Sequence, residues 1–150
     1  MPMDKDEINK ISLDHAWNWF ALHAAQRMQT FNYFLIVTGF MVAGYSSLLE
    51  NQNSVAIGVA LLGAWVSYWF SRLDSRTRQL IKAGEETLKL LQARLATRAK
   101  LQEINMLANV ERTDLGASSY TKVIFVIEWS VTAGFLIAAI YAAKLAFHDQ

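Results

Sequence analysis

The sequence has 150 residues, of which 53% are hydrophobic and 18% are charged, and its formal net charge is +1. A chain of this length is typically one domain, and its near-zero charge gives no electrostatic basis for recognising a nucleic-acid sequence. The absence of cysteine from the sequence excludes disulfides, thiolate metal ligands and cysteine nucleophiles.

Residues 1–27 are predicted to form an amphipathic helix in the cytosol or at the membrane surface. Asp4 and Glu7 have the spacing of a capping box, which favours a helix start at this point. Trp17 and Trp19 lie directly before a long apolar run, and tryptophan favours the membrane–water interface. The segment is therefore expected to lead directly into a membrane span.

One face of this helix carries an aromatic and basic stripe, because His15, Trp19 and His23 recur every four residues, with Arg27 further along the same face. Two interpretations fit the stripe. It is a proton sensor or ligand contact, or it anchors the helix at the interface and packs against another helix. His15 and His23 lie eight residues apart without a third ligand, so they predict no metal site.

Two uncharged runs, 28–49 and 51–71, contain 22 and 21 residues. As helices they would be about 31–33 Å long, which is close to one hydrocarbon thickness. The few residues between them allow only a tight turn, so the two helices must run antiparallel. A small soluble domain seldom hides two helices that are apolar on every side. We therefore predict a transmembrane hairpin over 28–71 rather than a buried hairpin in a soluble core.

The spans carry small residues at four-residue spacing, a pattern that lets helices approach closely in lipid. The positions predicted to pack helices in an oligomer are Gly39, Ala43 and Ser47 in the first span, Gly63 and Ser67 in the second, and Ser130, Gly134 and Ala138 in the third. Three helices bury few faces among themselves, so we expect a homo-oligomer.

Residues 122–150 are predicted to contain a third span and a short tail. Glu128 is ionisable and lies in the interior of this span, where such groups usually face the bundle interior or water. Two interpretations stay open: a ring of Glu128 that attracts cations to a pore mouth, and a carboxylate near the headgroups or bonded to a neighbouring helix. The other polar groups predicted to line a water-filled path are Thr132, Asn32 and Thr38. Alternatively, the hydroxyls among them bond to the preceding helical turn.

The insert 72–121 is predicted to be cytosolic. Residues 72–122 carry ten Lys or Arg against six Asp or Glu. By the positive-inside rule the insert and the N-terminus are cytoplasmic, and three spans then place the C-terminus in the periplasm of a bacterial inner membrane. The basic cluster is a candidate contact for lipid phosphates or a signalling nucleotide, although basic residues beside a span also follow from topology alone. Its members are Arg72, Arg76, Arg78 and Lys82.

Residues 72–112 are predicted to be helical, but a straight helix of that length would end about 60 Å from the membrane. The linker 113–121 can reach only about 30 Å, so the helix must fold back, kink or lie along the membrane. A break is predicted near residues 96–100, with Gly84 as a second candidate. Folded back, the insert and the N-terminal helix would form a small cytosolic bundle.

No enzyme motif is present, because the sequence lacks a Walker loop, GxGxxG, GxSxG and a histidine pair at metal spacing. We therefore predict no enzymatic activity, no catalytic residue, no metal and no cofactor.

The layout of membrane helices with a short helical cytosolic part resembles the small multi-pass membrane effectors of bacterial anti-phage defence, such as the SLATT group. The strings at 17–27 (WNWFALHAAQR) and 73–86 (LDSRTRQLIKAGEE) also resemble segments of bacterial membrane proteins. The resemblance implies a protein that perforates or depolarises the inner membrane, and it transfers no binding residue.

The sequence thus predicts an all-α, oligomeric integral membrane protein with three transmembrane helices plus a helical cytosolic part. The leading hypothesis is a pore or ion channel of anti-phage defence, gated through its cytosolic helices. Its expected partners are the lipid bilayer, further copies of itself, and a signalling nucleotide or a soluble defence protein. The alternatives are a non-conducting membrane adaptor whose cytosolic helices recruit a soluble protein, and a subunit of a larger membrane complex.

Overall fold

The computed structural model describes residues 4–49, 52–112 and 120–148, and within these ranges all regular secondary structure is helical. Four α-helices follow one another: α1 Lys5–Leu49, α2 Asn53–Ala99, α3 Met106–Arg112 and α4 Tyr120–His148. A single 3-10 turn, Gln102–Ile104, lies between α2 and α3. The predicted all-α fold is confirmed. The turn at 50–51 and the linker residues 113–119 lie outside the described residues.

Three of the helices are long and apolar enough to cross a membrane. The most apolar stretches of α1, α2 and the part of α4 over Thr121–His148 have mean hydropathies of 1.4, 1.5 and 2.2. Few of the residues in these stretches are buried within the chain: 6%, 33% and 28% respectively. Apolar surface on this scale is stable in contact with lipid but not with water.

The chain forms two compact units, each built from two separate stretches of sequence. The span unit consists of the described parts of Met28–Ser75 and Ser118–Gln150, and it contains the predicted transmembrane hairpin. The other unit consists of the described parts of Met1–Arg27 and Arg76–Ala117, and we call it the hairpin unit. The predicted division at residues 27/28, 71/72 and 121/122 stays a prediction.

Helix α2 ends at Ala99, within the region 96–100 where the sequence predicts a break. Lys100 takes the left-handed conformation, with φ at 55°, and the N–H of Leu101 donates to the carbonyl of Ala96 at 3.1 Å. This is the hydrogen bond of a Schellman motif, which satisfies a carbonyl that the helix end would otherwise leave free. The second candidate, Gly84, lies inside α2 without interrupting it.

After this break the chain turns back along α2. The amide of Leu107 donates to Oε1 of the buried Gln92 at 3.3 Å, which holds the first turn of α3 against the last turns of α2. The first half of α1 packs antiparallel to the second half of α2, since Asp6 contacts Arg98 and Trp19 contacts Leu80. The hairpin unit is therefore a small helical bundle, and its location in the cytosol stays a prediction.

Replacing Lys100 with glycine is expected to stabilise the hairpin unit. A side chain in the left-handed region costs about 1 kcal/mol that glycine avoids, so Lys100→Gly should raise the free energy of unfolding by about that amount. The measurement is equilibrium unfolding of the purified protein in detergent. Ala99→Gly is the matched control, because glycine within the helix should lower stability by about 0.5–1 kcal/mol. A loss of stability in Lys100→Gly would contradict the Schellman assignment.

Candidate intramembrane packing and subunit-contact site

The buried face of α2 within the span unit consists almost entirely of small side chains. Its buried members in the span are Ala56, Ala60, Gly63, Ala64, Ser67 and Ser71. Side chains of this size let helix backbones approach closely, which is the main source of association between helices in lipid. The small-residue pattern of the second span is thus used to pack α2 inside its own chain.

The centre of this contact is an apolar cluster of Ala60, Ala64, Phe135 and Ala139, from α2 and α4. Around it lie four partly buried side chains: Met41, Tyr45, Val131 and Ala138. A Cβ atom added at Gly63 would come within 2.7 Å of the Phe135 ring. Phe135 therefore occupies space that only a glycine at this position of α2 leaves open.

Helix α1 joins the other two through aromatic side chains. Phe34 is 1% exposed, and its ring centroid lies 5.5 Å from that of Phe70 on α2. The hydroxyl of Tyr45 donates to the carbonyl of Ala138 on α4 at 2.9 Å. Phe34, Met41 and Tyr45 fall at heptad-like spacing, so one narrow face of α1 makes these contacts.

A polar cluster joins α2 to α4 inside the span unit. Ser67 Oγ donates to the backbone carbonyl of Glu128 at 3.2 Å. Thr132 Oγ1 lies 2.9 Å from both Ser67 Oγ and the same carbonyl, and its one hydrogen can serve either acceptor at a time. Within lipid such bonds between helices contribute about 0.6 kcal/mol each on average, and they fix the register of the two helices.

Glu128 as a whole residue is only 3% exposed within its own chain. Thr132, at 8% exposed, lies beside it, whereas Asn32 is exposed and Thr38 is half-buried on α1. The four predicted pore residues therefore do not form one group in a single chain. A ring of Glu128 around a pore stays a prediction.

The residues predicted to pack subunits separate into two sets. Gly63 and Ser67 are buried within the chain, and Ala138 packs against its apolar cluster. The other five are exposed on the surface of the span unit: Gly39, Ala43, Ser47, Ser130 and Gly134. No described atom lies within 4 Å of a Cβ added at Gly39 or Gly134, so these positions are open to a further helix.

In the hairpin unit the predicted interfacial stripe makes helix contacts. Trp19 Nε1 donates to the Leu80 carbonyl at 3.1 Å, and its ring meets that of His23 edge-on at 4.6 Å. His23 Nδ1 is 3.0 Å from Gln26 Oε1, while Trp17 is exposed and Arg27 is buried. A Cβ at Gly84 would lie 3.0 Å from Trp19, so this glycine admits α1.

The predicted basic cluster lies mainly on the surface, where Arg72, Arg76 and Lys82 are exposed and Arg78 is half-buried. Among the described residues, no three His, Asp or Glu side chains lie close enough together to hold a metal ion.

Sequence reasoning did not identify Phe34, Phe135 or Tyr45 as packing residues. The heptad-like spacing on α1 was the one detectable signal for Phe34 and Tyr45, and it does not extend to Phe135 on α4.

These features define an all-helical multi-pass membrane protein. The profile of the octameric membrane protein family (8xMP) matches residues 11–144, and the chain belongs to that family. It is also similar to CD-NTase-associated protein 19 of Escherichia coli, with 34% identity over 117 residues, which is 76% of each chain. No solved structure matches the chain.

The family match confirms the predicted fold class, including an oligomeric state. It does not confirm the resemblance to the SLATT group in particular. The family is named for a membrane assembly and not for an enzymatic reaction.

Replacing Gly63 with alanine is expected to destabilise the packing of α2 on α4. The added methyl group would meet the Phe135 ring, and overpacking of this kind costs about 1–3 kcal/mol. Equilibrium unfolding in detergent micelles measures the change. Gly58→Ala on the same helix is the matched control, because a Cβ there meets nothing within 4 Å. Equal effects of the two substitutions would contradict the Gly63–Phe135 contact, and Phe135→Leu should restore part of the stability lost in Gly63→Ala.

Proposed function

We propose that this protein is a pore or ion channel of the bacterial inner membrane that assembles from eight copies and acts in anti-phage defence. The hairpin unit is its cytosolic gate. The N-terminus lies in the cytoplasm and the C-terminus in the periplasm, since positive charge is concentrated in the insert. The observation that carries the proposal is the small and polar face of the spans, which is exposed in the part of the chain that the structure describes.

This face is most pronounced on α1, where Asn32, Gly39, Ala43 and Ser47, with the exposed Ile36 among them, lie on the side opposite the buried Phe34. An amide such as that of Asn32 is costly in hydrocarbon unless another protein group or water satisfies it. Only 6% of the residues in the apolar stretch of α1 are buried in the chain, the lowest share of the three spans. We place this face of α1 toward neighbouring copies and the axis of the assembly.

The outer face of α2 has the opposite character and fits lipid. Trp65, Tyr68 and Trp69 are all exposed, and their rings contact one another at centroid distances of 6.2 and 5.7 Å. Aromatic side chains of this kind concentrate at the membrane interface. In an assembly, α2 would thus lie outermost, and the Arg72 end of the span would meet lipid phosphates.

In the proposed assembly the eight copies form one ring, with one α1 helix from each copy around the central axis. Eight helices of about 10 Å diameter in contact around a symmetry axis enclose a gap about 16 Å wide. Side chains narrow this gap, and its lining decides whether water or lipid fills it. The small and polar face of α1 favours water. The same face that binds neighbouring copies would therefore line the conduit.

The likeness to CD-NTase-associated protein 19 supports a biological setting. That protein is named for association with a CD-NTase, and we propose that this chain also acts beside such an enzyme. Defence against phage is the setting that the effector-like layout favours, since opening the inner membrane would stop growth of an infected cell. The partner or its product would act on the hairpin unit.

Assembly should depend on Gly39 but not on Gly58, although both glycines are exposed in one chain. Gly39→Leu places a large side chain on the face assigned to subunit contact, so native mass spectrometry from nanodiscs should show loss of the octamer. Gly58→Leu is the matched control and should retain it. Octamers of unchanged abundance in Gly39→Leu would remove this face from the interface.

Conductance is tested by ion flux from liposomes that contain the purified full-length protein alone. We expect ion flux, and we expect Asn32→Leu to lower it, because an apolar side chain would replace a polar one on the face of α1 assigned to the conduit. Gly58→Leu, which adds the same side chain at an exposed position of α2, is the control and should conduct as the wild type does. Unchanged conductance in Asn32→Leu would remove this face of α1 from the conduction path.

A non-conducting adaptor is the alternative, and one observation favours it: the hairpin unit packs as a body of its own, as a domain that recruits a soluble protein would. The same liposome experiment separates the two functions. An adaptor predicts no flux in any state of the protein.

A further inference from the structure

The hairpin unit contains a groove between the first turns of α1 and the last turns of α2. Its volume is about 510 Å³. The floor is apolar and consists of Leu13 from α1 and Leu91 and Leu95 from α2. Pockets of about 300–1,000 Å³ with apolar walls and a few polar groups are the usual size and character of small-molecule sites.

The rim of the groove carries an excess of positive charge. Asp6 and Lys10 lie one turn apart on α1, and Arg94 and Arg98 lie one turn apart on α2. Arg98 Nη1 is 3.6 Å from Asp6 Oδ1, and these side chains are 57% and 88% exposed. Screening by solvent makes this ion pair weak, and it neutralises one of the three cations.

The antiparallel pairing of the helices places Lys10 on the α1 side of the groove and Arg94 on the α2 side. Among the described residues neither of them forms an ion pair. Two like charges above an apolar floor repel each other, and an anion placed between them would remove that repulsion. The guanidinium of Arg94 also offers the planar, bidentate geometry that phosphate and carboxylate groups accept.

We propose that this groove binds a small phosphate ester with an apolar ring body, which is the chemical class of nucleotides. The phosphate lies between Lys10 and Arg94, and the ring packs on Leu13, Leu91 and Leu95. The groove joins the end of α2 to the start of α1, so a ligand there would draw the two helices together. The consequence for gating rests on the proposed function, whereas the binding itself rests on the groove.

The experiment measures binding to the full-length protein in phosphatidylcholine nanodiscs by isothermal titration calorimetry. The probes are adenosine monophosphate, the linear dinucleotide pApA and inorganic phosphate. At least one nucleotide should bind at least tenfold more tightly than inorganic phosphate, because phosphate alone cannot use the leucine floor. Arg94→Gln and Lys10→Gln should each weaken nucleotide binding at least tenfold.

Two further variants separate a direct role from a merely structural one. Asp6→Asn removes the carboxylate and releases Arg98, so it should tighten binding, the opposite sign to Arg94→Gln. Lys122→Gln, at an exposed cation of α4 that does not line the groove, should bind as the wild type does. A parallel titration with nanodiscs that contain phosphatidylglycerol tests the lipid as the source of the phosphate.

No nucleotide binding, or binding that Arg94→Gln leaves unchanged, would overturn the assignment. Phosphatidylglycerol can compete for the groove. If nucleotide binding is lost in phosphatidylglycerol nanodiscs, and Arg94→Gln abolishes binding of phosphatidylglycerol to the protein, the occupant is a lipid headgroup and the nucleotide assignment is overturned. Ion flux is recorded separately, on liposomes that contain the same purified protein. Nucleotide binding with the expected variant pattern supports the groove as a binding site even if the protein does not conduct ions. Ion flux without nucleotide binding supports the proposed pore and overturns the nucleotide site.

Discussion

Close packing of the small face of α2 against α4 is the contact on which the span unit depends. Ala60 and Ala64 bring the two backbones together, Gly63 admits the Phe135 ring, and Ser67 bonds to the carbonyl of Glu128. In lipid there is no hydrophobic gain from bringing apolar helices together, so close contact and internal hydrogen bonds must supply the association energy. This pairing fixes which side of each helix remains outside.

The outward sides differ, and that difference organises the proposed assembly. Helix α2 turns aromatic side chains outward, whereas α1 turns outward a face that contains Asn32 and Gly39. Lipid suits the first surface, and another copy or water suits the second. Membership of an octameric family is consistent with this division, since a chain that covered all its small and polar groups would have no reason to associate.

The sequence predicted the spans and the all-helical fold because the length of an uncharged run is set by the thickness of the bilayer. It also located the end of α2 near Lys100, where the apolar stripe changes register. It could not separate the small residues that pack within the chain, such as Gly63, from those that remain exposed, such as Gly39. Both sets have the same spacing, and only the position of a distant side chain, Phe135, distinguishes them. The groove at Lys10 and Arg94 likewise depends on a pairing of residues more than eighty positions apart in the sequence.

The absence of cysteine allows the central contact to be measured without background. Ser67 and Thr132, whose hydroxyl oxygens are 2.9 Å apart, are replaced by cysteine and the membranes are oxidised mildly. When both cysteines are in one chain, the account predicts a disulfide within that chain. When they are on separately tagged copies expressed together, it predicts no crosslink between copies. Crosslinking between copies alone would show that α2 packs against α4 of another chain, and the assignment of inner and outer faces would be wrong.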